Sequence, residues 1–220
     1  MPGAKRSDYI SPRDLEVLDF IARFGVVPRS AVATWAGTAR TVTISRESRL
    51  RRAGLIRVGR GLGSSGPIAI CTRSGLRASS RRELSAARLS YAALSHDTTV
   101  AILAASLARE GASLLSEREI VARERAAGDR HLSAKVGPGA HHRPDLIRLD
   151  SDGEAVEAIE VELSTKGAAR LDAILRSWRR AVAERRFSAV SYRCAPRTLP
   201  YVERAIERTR TATTILARPL

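Results

Sequence analysis

The stretch from residue 40 to residue 72 constrains the fold more than any other part of the chain. A helix-forming segment with five arginines ends at Gly54, and two short β-prone runs follow, residues 55–60 and 67–72. The tip between them reads Gly61-Leu62-Gly63-Ser64-Ser65-Gly66. Short apolar runs around a Gly-rich tip predict a β-hairpin. No Lys-Ser/Thr pair follows the glycines, so the tip lacks the means to cradle a nucleotide phosphate. The helix is expected over about residues 41–53, with Val42, Ile44 and Leu50 as its apolar positions. Arg40, Thr43, Ser45, Arg46, Arg49 and Arg52 supply its donors and acceptors, and Arg57 and Arg60 carry charge onto the hairpin.

Two helices are expected upstream. Ser11-Pro12-Arg13-Asp14 opens the first, with a capping serine, a proline suited to the first turn and an acid at the positive end of the dipole. Leu15, Leu18, Ile21 and Phe24 recur at helical spacing, and Gly25 stops the run. Residues 27–35 predict a second, short helix with Val32 and Trp35 inward. The order helix, helix, Arg-rich helix, hairpin, closing on Cys71-Thr72-Arg73-Ser74-Gly75, resembles winged helix-turn-helix domains. That resemblance implies a third helix in the major groove of double-stranded DNA and a wing on its phosphates.

Charge agrees with this expectation. The net charge is +15. Residues 1–95 hold 17 Lys+Arg against 6 Asp+Glu, and residues 96–220 hold 21 against 17, so +11 sits in the first part and +4 in the second. The asymmetry points to a polyanionic partner for the N-terminal part. No apolar run approaches the ~20 residues of a membrane helix, and the first residues show no apolar signal segment. The expectation is a cytoplasmic protein without membrane partners. Cys71 and Cys194 stand far apart with no Cys-x-x-Cys motif, and are expected as reduced core thiols.

Three domains are expected: residues 1–78 bind DNA, residues 79–95 form a linker helix, and residues 96–220 form an α/β domain. In the last, residues 97–109 make an amphipathic helix, residues 112–115 an extended entry, and Ser116-Glu117-Arg118-Glu119 a capping box. Residues 126–143 are expected as a loop, with His141-His142 as polar loop residues. Two strands around the turn at 151–153 follow, then a helix over 168–186, a strand at 189–192, a helix over 199–209 and a last strand from residue 213. That order predicts a mixed sheet covered by helices, so the fold class is α+β and α/β.

Glu160 and Glu162 lie two apart on one strand and share a sheet face, and the hairpin brings Asp145 close. Oxygen ligands of this kind suit Mg²⁺ or Mn²⁺. Pro144-Asp145 followed by Glu160-Val161-Glu162 resembles the PD-(D/E)xK nuclease superfamily. The resemblance implies catalytic roles for Asp145, Glu160, Glu162 and Lys166, metal binding by the three acids, and Glu117 as an added acid. Glu162 stands where that superfamily has lysine, so a degenerate centre needing no cofactor is expected. With the N-terminal part, the chain resembles the replication-relaxation family of actinobacterial plasmids and mobile elements. The resemblance rests also on Ser95-His96-Asp97 and Arg143-Pro144-Asp145. It implies a role in replication, DNA relaxation or transfer, or transcriptional control, with a homodimer and replication or transfer proteins as partners. A Mg²⁺-dependent endonuclease is the alternative.

Overall fold

The computed structural model describes residues 9–61 and 66–220, so most of the Gly-rich tip lies outside the described residues. The protein is a mixed α+β chain in two compact units, residues 1–111 and 112–220.

The first unit builds on three helices. Helix α1 (Pro12–Phe24) is closed by a reciprocal capping box between Ser11 and Asp14. Its buried stripe is Asp14, Val17, Leu18 and Ile21 with Phe20, so Leu15 points outward at 37 % exposure. Strand β1 (Val26–Pro28) occupies the start of the segment expected to be helical. Two β-branched valines favour extended backbone, and Pro28 then caps helix α2 (Arg29–Ala36). Helix α3 (Arg40–Arg52) precedes strands β2 (Ile56–Arg60) and β3 (Pro67–Cys71). The expected hairpin is present: β2 and β3 pair antiparallel, and β1 adds to the other edge of β3.

The hairpin is locked at its base. Thr72 Oγ1 donates to the carbonyls of Gly54 (2.7 Å) and Leu55 (3.1 Å) and accepts from the Gly75 amide (3.0 Å). This caps helix α4 (Arg73–Ala78). A Cβ at residue 75 would lie 2.1 Å from the Leu55 carbonyl oxygen and 2.7 Å from Cys71 Sγ. Only glycine fits there, which accounts for the Thr-x-x-Gly ending.

Residues 79–95 do not form the expected linker helix. Most of the segment is irregular, and it is held to α1 where the Ser80 amide donates to Asp19 Oδ1 (2.9 Å). Helix α5 (Leu94–Arg109) then buries Leu94, Val100, Ala101, Ala104 and Ala105 inside the first unit, packing on α2 and β1. The amphipathic helix expected over residues 97–109 is present, but it packs inside the first unit, so the units divide after Gly111 rather than at residue 95.

The second unit is a five-stranded mixed sheet in the order β10-β9-β8-β7-β4. Strands β8 (Ala155–Glu162), β9 (Ala189–Cys194) and β10 (Ile215–Pro219) run parallel. Strand β7 (Leu146–Leu149) runs antiparallel to both β8 and β4 (Ser113–Ser116). Helix α6 (Glu117–Ala127) opens on the expected capping box of Ser116 and Glu119. The expected loop at 126–143 contains a second hairpin, β5 (Ala134–Gly137) and β6 (Ala140–His142). Its turn holds Pro138 and Gly139, the latter at φ +66. Helices α7 (Ala168–Ala183) and α8 (Leu199–Thr209) pack Leu171, Leu175, Trp178, Val202 and Ala205 into one core with Ile147, Ala158, Val190 and Tyr192.

Candidate nucleic-acid interface and acidic cluster

Helix α3 has two opposite faces. Thr43, Glu47 and Leu50 are buried, at spacings of four and three. Directly opposite run Thr41, Ser45, Ser48 and Arg52, flanked by Val42 (41 % exposed) and Ile44 (37 %). Of the residues chosen for DNA contact, Arg40, Ser45, Arg52, Arg57 and Arg60 are exposed. Thr43 is fully buried, its hydroxyl 3.3 Å from the Ala39 carbonyl, and its side chain faces the unit's interior. Val42 and Ile44, expected as apolar core positions, stand outward. With Thr41 and Arg51 they are exposed residues left out of the expected contact set, and Ser48 on the same side is half-buried. The signal was present: once Glu47 is read as the inward, ion-paired position, helical arithmetic puts residues 41, 45, 48 and 52 on the far side.

Arg46 and Arg49 are turned back onto α1. Arg49 grips Asp14 with two hydrogen bonds, Nη2 to Oδ1 (2.8 Å) and Nε to Oδ2 (3.1 Å), and Arg46 Nη1 lies 3.4 Å from Oδ1. Asp14 is 0 % exposed. Burial alone would raise its pKa, but hydrogen bonds from Arg49 and Ser11 outweigh it and hold the carboxyl below the ordinary value. On the neighbouring helix, Arg29 Nε donates to buried Glu47 (2.6 Å). Burial pushes the Glu47 carboxyl up, and Arg29 opposes it. The two ion pairs fix α3 against α1 and α2 and set the angle at which its outer face is shown.

In the second unit the expected acids do converge. The register that pairs Leu146 with Ile159 sets Asp145 opposite Glu160. Across the parallel pair, Tyr192 neighbours Glu160 and Cys194 neighbours Glu162. Each acid, however, has a protein partner. Asp145 Oδ2 accepts from the Val161 amide (2.7 Å). Glu160 Oε1 accepts from the Trp178 indole (3.0 Å), and His142 Nε2 stands 2.8 Å away, close but off the hydrogen-bond axis. Lys166 Nζ closes on Glu162. Lys166, four residues on from Glu162, lies past the end of β8, and its side chain reaches back to that acid. Glu117 meets the cluster through its backbone, its amide donating to the Asp145 carbonyl (3.1 Å).

His142, expected in a polar loop, comes in on the β5–β6 hairpin, whereas His141 is exposed. Burial alone would lower the His142 pKa, but the Glu160 carboxylate raises it above the ordinary value. Burial raises the Glu160 carboxyl against the pull of His142. Burial and the surrounding carboxylates likewise keep the Tyr192 hydroxyl protonated and push the Cys194 thiol up to about 11. Among the described residues, no group of three or more His, Cys, Asp and Glu side chains is arranged to hold a metal ion. With Lys166 and His142 already compensating the acids, the set does not fit Mg²⁺ or Mn²⁺.

No protein family and no curated protein matches the chain. No helix among the described residues is long and apolar enough to cross a membrane.

Proposed function

We propose that the protein binds double-stranded DNA through its first unit, a winged helix-turn-helix in which α3 enters the major groove and the β2–β3 hairpin meets the backbone. The observation that carries this reading is the outer face of α3. Thr41, Ser45, Ser48 and Arg52 are hydrogen-bonding groups of base-edge reach, and Val42 and Ile44 are apolar groups suited to thymine methyls. Arg57 and Arg60 on β2 extend the positive surface, and the only acid in α3, Glu47, is buried under Arg29. The second unit is a nuclease-like sheet whose acids serve as an internally neutralised cluster. In this reading the protein belongs with the replication-relaxation family and acts in replication, DNA transfer or transcriptional control.

Selection of bound sequences from a random duplex pool tests the proposal. Enrichment of one motif, weakened by Ser45→Ala or Arg52→Ala, is the expected outcome. A pool that stays random, with binding indifferent to those changes, rejects it. The endonuclease reading is tested on the same duplexes. Mg²⁺- or Mn²⁺-dependent nicking that disappears in Asp145→Asn would establish it against the degenerate centre.

A further inference from the structure

Between α1, the end of α2 and the start of α3 lies a hollow of about 260 Å³. Trp35, Val17 and Ala36 form its apolar wall, and Thr38, Arg13 and Arg46 its polar side. Trp35 is backed by Phe20, the rings stacked 13° from parallel at 4.9 Å. Arg13 is spoken for by Glu16, one turn on. Arg46 is not: its Nε is shielded from solvent without a hydrogen-bond partner, and its one ion-pair contact is the 3.4 Å approach to Asp14, whose oxygens Arg49 and Ser11 already hold. A buried donor left without an acceptor is costly, and buried polar groups are rarely left so. Here the arginine that carries the orphaned donor lines an open space.

Charge in the hollow points the same way. Arg13 cancels Glu16 and Arg49 cancels Asp14, which leaves Arg46 as one surplus cation. A volume below the ~300–1,000 Å³ of drug-sized pockets suits a molecule of a single ring. We propose that this hollow binds a small aromatic monocarboxylate, its carboxylate on the Arg46 guanidinium and its ring against the Trp35 indole. The site is a property of the first unit and does not depend on whether the unit binds DNA. Because it sits at the turn from α2 to α3, an occupant that draws Arg46 away from Asp14 acts on the helix those residues anchor.

The probes are benzoate, its uncharged amide benzamide, and inorganic phosphate, each titrated into the full chain. The chain holds two tryptophans, Trp35 and Trp178, so an indole amide NMR spectrum contains two tryptophan signals, and Trp35→Phe assigns them. Benzoate is expected to move the Trp35 signal saturably while Trp178 stays still. Benzamide is expected to bind at least about tenfold more weakly, the value of one charge-assisted contact. Arg46→Met should lose benzoate binding; should that variant fold poorly, the benzoate–benzamide comparison on the unmodified chain decides alone. No saturable movement, equal binding of the amide, or full binding in a folded Arg46→Met would overturn the proposal. So would displacement of benzoate by phosphate at equal or lower concentration, which would make the hollow a seat for a backbone phosphate.

Discussion

Replacing Arg49 by alanine separates an anchoring arginine from a base-reading one. The substitution removes both contacts to Asp14, at 2.8 and 3.1 Å, and a third to Ser45 Oγ at 3.0 Å. Stripping a buried charge of its only partner costs about 3–5 kcal/mol. Asp14 would keep the Ser11 hydroxyl at 2.7 Å, the Ser11 amide at 3.1 Å and the distant Arg46, so the expected loss is about 2 kcal/mol, within the range for hydrogen bonds to a charged group. For a unit the size of residues 1–111, about 4 °C per kcal/mol makes this a fall of ~8 °C in its melting midpoint. The loss also has a pH signature. Asp14 is depressed in the folded state, since the Arg49 and Ser11 hydrogen bonds outweigh the opposing effect of burial. A depressed carboxylate stabilises fully above its unfolded pKa of about 3.9, and the benefit fades as pH falls through the lower folded value. The gap between the unmodified chain and Arg49→Ala should therefore narrow below about pH 4. Urea unfolding at neutral pH and near pH 3, with Asp14→Asn completing a double-mutant cycle, measures both effects. A variant that unfolds at the unmodified midpoint, yet loses affinity for one duplex sequence and not another, would refute the anchoring role and return Arg49 to the bases.

The other expectations are brief. Gly75→Ala forces a Cβ within 2.1 Å of a backbone oxygen that has no side-chain freedom, so it should destabilise the first unit by about 3 kcal/mol, the upper end for overpacking; an unchanged thermal midpoint contradicts this. Arg57→Ala and Arg60→Ala should each weaken all duplexes to a similar degree and lower the salt slope of binding by about one, a result that sequence-dependent losses in fluorescence anisotropy would exclude. Lys166→Met leaves buried Glu162 without its cation and should lower the midpoint of the second unit, whereas millimolar Mg²⁺ should leave that midpoint of the unmodified chain in place. A Mg²⁺-driven rise that vanishes in Asp145→Asn would overturn the neutralised-cluster view.

Local signals in the sequence were reliable where a few neighbouring residues decide the outcome. The Ser11 cap, the Ser116–Glu119 capping box, the stop at Gly54, the β2–β3 hairpin and the long α7 all follow from short-range chemistry. The pairing of Asp145 with Glu160 was legible too, because a turn at residues 151–153 leaves a hairpin little choice of register. What was not legible depends on contacts far along the chain. Nothing near Arg49 reveals that its partner is 35 residues earlier, so an arginine on an Arg-rich helix is easily taken for a reader. The small residues of α5 have a packing face only once α2 and β1 are beside them. The valines of β1 favour extended backbone, but the strand finds its partner only in β3, 40 to 44 residues on.

The arginines of the first unit thus divide by partner rather than by position on the helix. Arg29 and Arg49 pair with the buried acids Glu47 and Asp14, and their charge is largely spent inside the fold, while Arg46 makes only the 3.4 Å approach to Asp14. Arg40, Arg51, Arg52, Arg57 and Arg60 stand on the exposed side. A count of basic residues overstates the field that a polyanion would meet, since each buried acid cancels an arginine. The same pairing lets the exposed set act at a fixed angle. An α3 held only by Leu50 and Thr43 could rotate, whereas ion pairs to two different helices remove that freedom. Affinity for phosphate should therefore follow the exposed arginines, and sequence selectivity should follow the integrity of the buried pairs, even though Asp14 and Glu47 lie away from the exposed face.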